Sequence, residues 1–140
     1  MAGREEIVAT LSQFSLFGDL RPPQLESIVG QLDEAWFAQD TRILRQGLTG
    51  SGLYFLLEGS CRVEVDKTER ARLGPGEFFG EVSMLLGAPP TADVIAVTDA
   101  RCLVLAAPPA EAFLMDYPEM MYRMLQVQAR RLRSANSWRN

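Results

Sequence analysis

The feature that most limits the fold is the punctuation of the chain between residues 33 and 107. Short runs suited to strands, 35–37, 42–44, 53–57, 61–65, 71–73, 94–97 and 102–105, are separated by turn residues. Gly47, Gly50, Gly52, Gly59, Gly74 and Gly76 fall between the runs, together with Asp40, and these residue types accept the positive φ of tight turns. No long helix fits this stretch, and the pattern predicts an antiparallel barrel or jelly roll. Helical spacing appears on both sides of it. Ile7, Val8, Leu11, Phe14 and Phe17 predict a helix over 4–17, and Pro22-Pro23 opens a second helix carrying Leu25, Ile28, Val29 and Leu32. After Pro108-Pro109 the helical pattern returns through Phe113, Leu114 and Met115, and a last helix is expected from Pro118 to about residue 134.

At 140 residues the chain has the length of one domain, large enough to form a core without disulfide or metal. The expected divisions are N-terminal helices in 1–32, a β-roll in 33–107 and C-terminal helices in 108–140. Lys and Arg number 14 against 18 Asp and Glu, a net charge of −4 that disfavours a nucleic acid as main partner of this chain alone. There is no histidine, which removes His-based triads and His-containing zinc sites, and an enzyme becomes the weakest reading. Cys61 and Cys102 fit no metal or redox spacing and are expected to be buried free thiols. No apolar run is long enough for a membrane span, and the start lacks signal-peptide order, so a cytoplasmic location without membrane insertion is expected. All basic residues but Lys67 are arginine, a bias that fits a GC-rich bacterial genome.

Residues 73–89 read Leu-Gly-Pro-Gly-Glu-Phe-Phe-Gly-Glu-Val-Ser-Met-Leu-Leu-Gly-Ala-Pro, and this stretch resembles the phosphate-binding cassette of the cyclic-nucleotide-binding domain family. Upstream, Ile43-Leu-Arg-Gln-Gly47 and Gly52-Leu-Tyr-Phe-Leu-Leu-Glu-Gly59 stand where that family places barrel turns, so the resemblance covers nearly the whole chain. It implies a mainly β fold, an eight-stranded antiparallel, jelly-roll-like β-roll with flanking helices, its cassette spanning 78–94. It also implies a regulatory role, with cyclic AMP or cyclic GMP as the ligand class and no other cofactor required. A helix starting near Gly80 offers free N–H groups to a phosphate. By the resemblance Glu81 accepts from a ribose hydroxyl, and Val82 and Ser83 supply donors. Phe79, Val82, Leu85 and Leu86 read more simply as core, and Glu81 has the plainer reading of a helix N-terminal charge.

The family pattern continues Pro-Arg-x-Ala-Thr-Val, whereas this chain reads Pro89-Pro90-Thr91-Ala92-Asp93-Val94. Pro90 thus replaces the phosphate-binding arginine and Asp93 the hydroxyl residue, while Thr91 offers only a neutral donor. Loss of a charge-assisted contact costs about 1.5–3 kcal/mol. A carboxylate about 5 Å from the phosphate adds about 3 kcal/mol of repulsion, so affinity is expected to fall roughly 10³- to 10⁴-fold. Asp93 also reads as an exposed turn or strand-edge charge. Arg62 and Arg72 on neighbouring strands are accessory candidates, with surface solvation as the simpler role, and Trp138 is a candidate cap for a purine.

Met121, Leu125, Gln128, Leu132 and Ala135 have the spacing of a helical seam, widened by Met120, Met124 and Val127, that suits packing on a partner helix or on its own barrel, and self-packing with a homodimer through this helix is the expectation. Arg130, Arg131, Arg133 and Arg139 make the tail basic and complement a helix C-terminus. Three functions are open at this point. The leading one is a non-catalytic regulatory domain that binds cyclic nucleotides weakly or not at all and acts on an effector domain or protein. The others are a sensor of cyclic nucleotides or another small molecule through non-standard contacts, and the sensory half of a transcription regulator.

Overall fold

The computed structural model describes residues 3–48, 52–106 and 110–137. The punctuated middle folds as eight strands, β1 (Asp33–Phe37), β2 (Arg42–Leu44), β3 (Leu53–Glu58), β4 (Cys61–Val65), β5 (Thr68–Leu73), β6 (Phe78–Phe79), β7 (Asp93–Ala96) and β8 (Ala100–Leu105). All pairings are antiparallel, in two four-stranded sheets ordered β1-β8-β3-β6 and β2-β7-β4-β5. This is the expected β-roll. Helices α1 (Arg4–Ser12) and α2 (Pro22–Gln31) precede it, α3 (Glu81–Leu86) interrupts it, and α4 (Ala110–Asp116) and α5 (Pro118–Ser137) follow.

Two apolar clusters explain the strand sequences. Leu53, Phe55 and Leu57 of β3 and Leu103 and Leu105 of β8 face the helices, joining Leu11, Phe17, Leu25, Ile28, Phe113 and Met120. Leu56 and Cys102 point the other way, into the roll, with Leu44, Cys61, Leu73, Phe79, Val94 and Ala96. Strands β3 and β8 are therefore covered on both faces and read as continuous apolar runs rather than alternating ones. Both cysteines are buried free thiols, as expected. Burial pushes their ionisation up, to about 11 for Cys61 and about 12 for Cys102.

The structure departs from the sequence reading at three places outside the cassette. The expected helix over 4–17 ends at Ser12, and a separate 3-10 turn at Ser15–Phe17 follows. That break lets Phe17 meet Phe55 edge-on at 5.4 Å while Ile7 and Leu11 stay in the same cluster. Strand β5 starts at Thr68, three residues before the apolar run, because Asp66 and Lys67 both take positive φ (51° and 65°) and close a tight hairpin. Its exposed charged residues suit the edge position it holds in its sheet. The seam expected on the last helix is divided: Met120 and Met124 enter the core, Met121 and Val127 pack against it, and Leu125 and Leu132 turn outward. Arg123 anchors that helix by pairing with Asp19 at 2.7 Å.

Candidate functional site

The cassette is built on a backbone turn that only glycine takes easily. Gly80 has φ 88°, and a Cβ there would overlap the carbonyl oxygen of Gly52. The close approach that the sequence suggests for Gly80 is thus made first to the chain itself, where β3 begins. Phe79 lies in the roll core and stacks on Tyr54 with ring centroids 4.8 Å apart. This clamp fixes the direction in which α3 starts.

Glu81 is the first residue of α3 and is only 5% exposed. A buried carboxylate needs partners, and both come from α5. Gln128 Nε2 donates to Glu81 Oε1 at 2.9 Å, and the Arg131 guanidinium donates to the same oxygen at 3.2 Å. Arg131 also donates to the Phe78 carbonyl at 2.6 Å and lies 4.4 Å over the Phe78 ring. Gln128 and Arg131 are three residues apart on one helix face, so both reach the same point. Sequence reasoning assigns neither to the cassette: Gln128 falls in the seam and Arg131 in the basic tail. Their spacing was the available signal, but nothing in it named Glu81 as the target.

The other cassette residues divide into engaged and open ones. Ser83 is buried and its hydroxyl donates to the Ala88 carbonyl. Val82 is half-buried, Pro90 is buried with its carbonyl accepting from Gly47 N–H at 2.9 Å, and Thr91 is exposed. Leu85 and Leu86 correct the expectation of core residues: they are 50% and 74% exposed, at the end of the six-residue α3, which stops at Gly87.

Asp93 is neither an exposed edge charge nor an unbalanced carboxylate. Its side chain retains 13% exposure, forms an ion pair with Arg42 and accepts the Gln46 N–H at 2.6 Å. Gln46 in turn exchanges hydrogen bonds with Asp66, both at 2.9 Å. With a guanidinium beside it, Asp93 opposes an anion less than the sequence argument supposed. Arg42 lies 51 residues away in sequence, and no local pattern announced the pair.

Arg62 pairs with Glu64 at 2.7 Å and Arg72 with Glu69 at 2.9 Å, so each accessory arginine has a carboxylate on its own hairpin. Trp138 lies outside the described residues. The structure therefore brings Glu81 together with Gln128 and Arg131, turns Ser83 onto the Ala88 carbonyl and Gly80 against Gly52, and holds Asp93 in a separate network with Arg42, Gln46 and Asp66.

Comparison with known proteins bears on this arrangement. The family model described as "Cyclic nucleotide-binding domain" matches residues 34–117. The chain is 32% identical over 126 residues to the "Cyclic AMP receptor protein" of Thermus thermophilus, covering 86% of this chain and 58% of that one. It is 26% identical over 132 residues to the "CRP-like cAMP-activated global transcriptional regulator" of Mycobacterium tuberculosis, covering 91% and 59%. Among solved structures it resembles the Thermus thermophilus catabolite activator protein, with a TM-score of 0.74 at 32% identity over 86% of this chain and 59% of that chain. It is also similar to a cyclic nucleotide-binding domain from Methylobacillus flagellatus, with a TM-score of 0.76 at 26% identity over 96% and 81%. The chain spans about three fifths of the length of the curated relatives described here. The β-roll, its interrupting cassette and the matched span agree, and this chain belongs to the cyclic nucleotide-binding domain family.

Proposed function

We propose that this chain is one non-catalytic regulatory domain whose cassette is held closed by its own C-terminal helix and binds cyclic AMP or cyclic GMP weakly or not at all. The observation that carries the reading is the Glu81 carboxylate, whose Oε1 already accepts from Gln128 and Arg131. A ribose hydroxyl would have to compete with a charged donor for that oxygen. Pro90 stands where the family arginine would fork onto a phosphate, and it supplies neither a guanidinium nor an N–H. The balanced charge of Asp93 makes the expected affinity loss smaller than the sequence argument gave, roughly 10² to 10³ for the missing arginine and the occupied Glu81.

A cytoplasmic setting, a homodimer through α5 and an effector domain or protein partner belong to the same reading. A non-enzymatic role fits a chain without histidine whose thiols are buried and hard to ionise. A second reading, the sensory part of a transcription regulator, is favoured by the likeness to a cAMP-activated global transcriptional regulator.

The test is calorimetric titration of the 140-residue chain with cyclic AMP and cyclic GMP, beside the double variant Pro90→Arg/Asp93→Thr. Heat in the variant alone fits a cassette that has lost its phosphate contact. Saturable, tight binding by the unmodified chain overturns the proposal and leaves a working cyclic nucleotide sensor.

A further inference from the structure

Trp36 stands 63% exposed on edge strand β1. It pairs in register with Arg101 of β8, which in turn pairs with Glu58 of β3, so the three side chains form a row on one face of the sheet. Glu34, two residues before Trp36, shares that face, and Glu6 reaches the row from α1. Arg101 is only 3% exposed, with its guanidinium 5.4 Å from the centre of the Trp36 ring. Its Nε donates to Glu34 at 2.7 Å, but Nη1 lies 3.6 Å from Glu58 and 3.8 Å from Glu6, and the buried Nη2 has no hydrogen-bond partner among the described residues. One cation thus serves three exposed glutamates, and three negative charges against one positive leave two over.

We infer that this face docks a basic peptide segment of a partner protein. The exposed indole and the surplus carboxylates attract a cationic side chain, which stacks on the ring and pairs with Glu6 or Glu58. The spare N–H groups of a buried guanidinium call for an acceptor, and a neutral backbone carbonyl supplies one without adding negative charge. An anion would satisfy the guanidinium but meet the surplus negative charge. A metal ion would meet the guanidinium itself, and no group of three or more Cys, Asp or Glu among the described residues is placed to hold one. A segment bearing arginine or lysine answers both demands at once, with Trp36 as the kind of aromatic anchor that binding surfaces favour. The row belongs to β1, β8, β3 and α1 and contains no cassette residue.

The probes are a capped peptide of alternating arginine and glycine with four positive charges, and spermine, which carries the same charge without a carbonyl. Trp138→Phe leaves Trp36 as the only tryptophan, so its emission reports on this face of the full chain. The peptide should change that emission saturably, with an affinity that falls as salt rises, and spermine should bind more weakly. By calorimetry, Trp36→Ala should lower peptide affinity about fivefold and Glu58→Gln about threefold. Glu111→Gln makes the same charge change on α4, outside the row, and should leave affinity unaltered. Circular dichroism accompanies every variant, and if Trp36→Ala fails to fold, Glu58→Gln and the Trp36 emission decide the matter. The inference is overturned if the folded chain gives no saturable response to the peptide, or if binding survives Trp36→Ala undiminished. It is also overturned if Glu111→Gln weakens binding as much as Glu58→Gln, or if spermine binds as tightly as the peptide, since net charge alone would then account for the attraction. Neither probe carries a ribose or a base, so the outcome does not depend on whether the cassette binds cyclic nucleotides.

Discussion

The Arg131 guanidinium stands 3.2 Å from the Glu81 carboxylate and ties the last helix to the first residue of the cassette helix. Glu81 keeps only 7% of its side-chain exposure while Arg131 keeps 30%, so the acid depends on the pair more than the base does. Removing the partner of a buried charge leaves it poorly solvated, whereas removing the charge itself does not. Arg131→Ala should therefore destabilise the domain by about 1–3 kcal/mol, with Gln128 limiting the loss. Glu81→Gln should cost less. Urea unfolding of the two variants checks the order, and an equal or reversed cost would remove the asymmetry.

Gly80 and Gly74 make a matched pair of substitutions. At Gly80 a side chain meets both a positive φ of 88° and the Gly52 carbonyl, while at Gly74 an added Cβ meets open space. Left-handed backbone costs about 1–2 kcal/mol for a residue with a Cβ, and the overlap adds to it. Gly80→Ala should lose at least about 2 kcal/mol in a denaturant titration, and Gly74→Ala should stay within about 0.5 kcal/mol of the parent. Similar values for both would mean that the Gly52–Gly80 approach relaxes freely.

The contrast between these sites and the rest of the chain shows which signals are local. The strands were legible because their turns carry glycine, and Gly47, Gly59 and Gly76 do take positive φ. The start of β5 was not, since Asp66-Lys67 closes its hairpin without glycine. Gly80 and Glu81 were found because the family motif names them. Their partners were not, because Gln128 and Arg131 meet Glu81 only after some fifty residues of chain have folded between them. The sequence reading leaves Asp93 just outside the 94–97 run, whereas it opens β7, and its charge is misjudged for the same reason, its counterion being Arg42 on β2. Periodicity alone also could not divide α5 into its faces. With methionine and leucine at neighbouring positions, tertiary packing decides which of them turn inward.

The two thiols give a pH signature on the alkaline side. Their ordinary value is near 9.0, and burial raises Cys61 to about 11 and Cys102 to about 12. The folded state therefore holds these protons more tightly than the unfolded chain. Their contribution to stability is complete below the unfolded value and is lost as pH rises from there through the folded values. Stability should fall between about pH 9 and 12, and the fall should be shallower in Cys102→Ala. At pH 8 the native chain should resist alkylation that the denatured chain undergoes rapidly. Rapid native-state labelling of both thiols would contradict their burial.

The outward face of α5 gives the last prediction. Tyr122, Leu125 and Leu132 are 60%, 63% and 64% exposed, and with Ala129 they repeat at spacings of three, four and three. That is the spacing of a two-helix seam, displaced from the expected one because Met120 and Met124 fill the core and fix the rotation of the helix. A homodimer through α5 would cover this stripe while leaving Gln128 and Arg131 on Glu81. Light scattering at high micromolar concentration should give twice the 15.6 kDa chain mass, and Leu125→Glu/Leu132→Glu should return the monomer with its circular dichroism unchanged. Introducing glutamates at solvent-facing positions costs the isolated domain little, so loss of the dimer without loss of the fold would locate the contact on this face. A monomer mass for the unmodified chain would instead leave the stripe uncovered and remove α5 as the dimer contact.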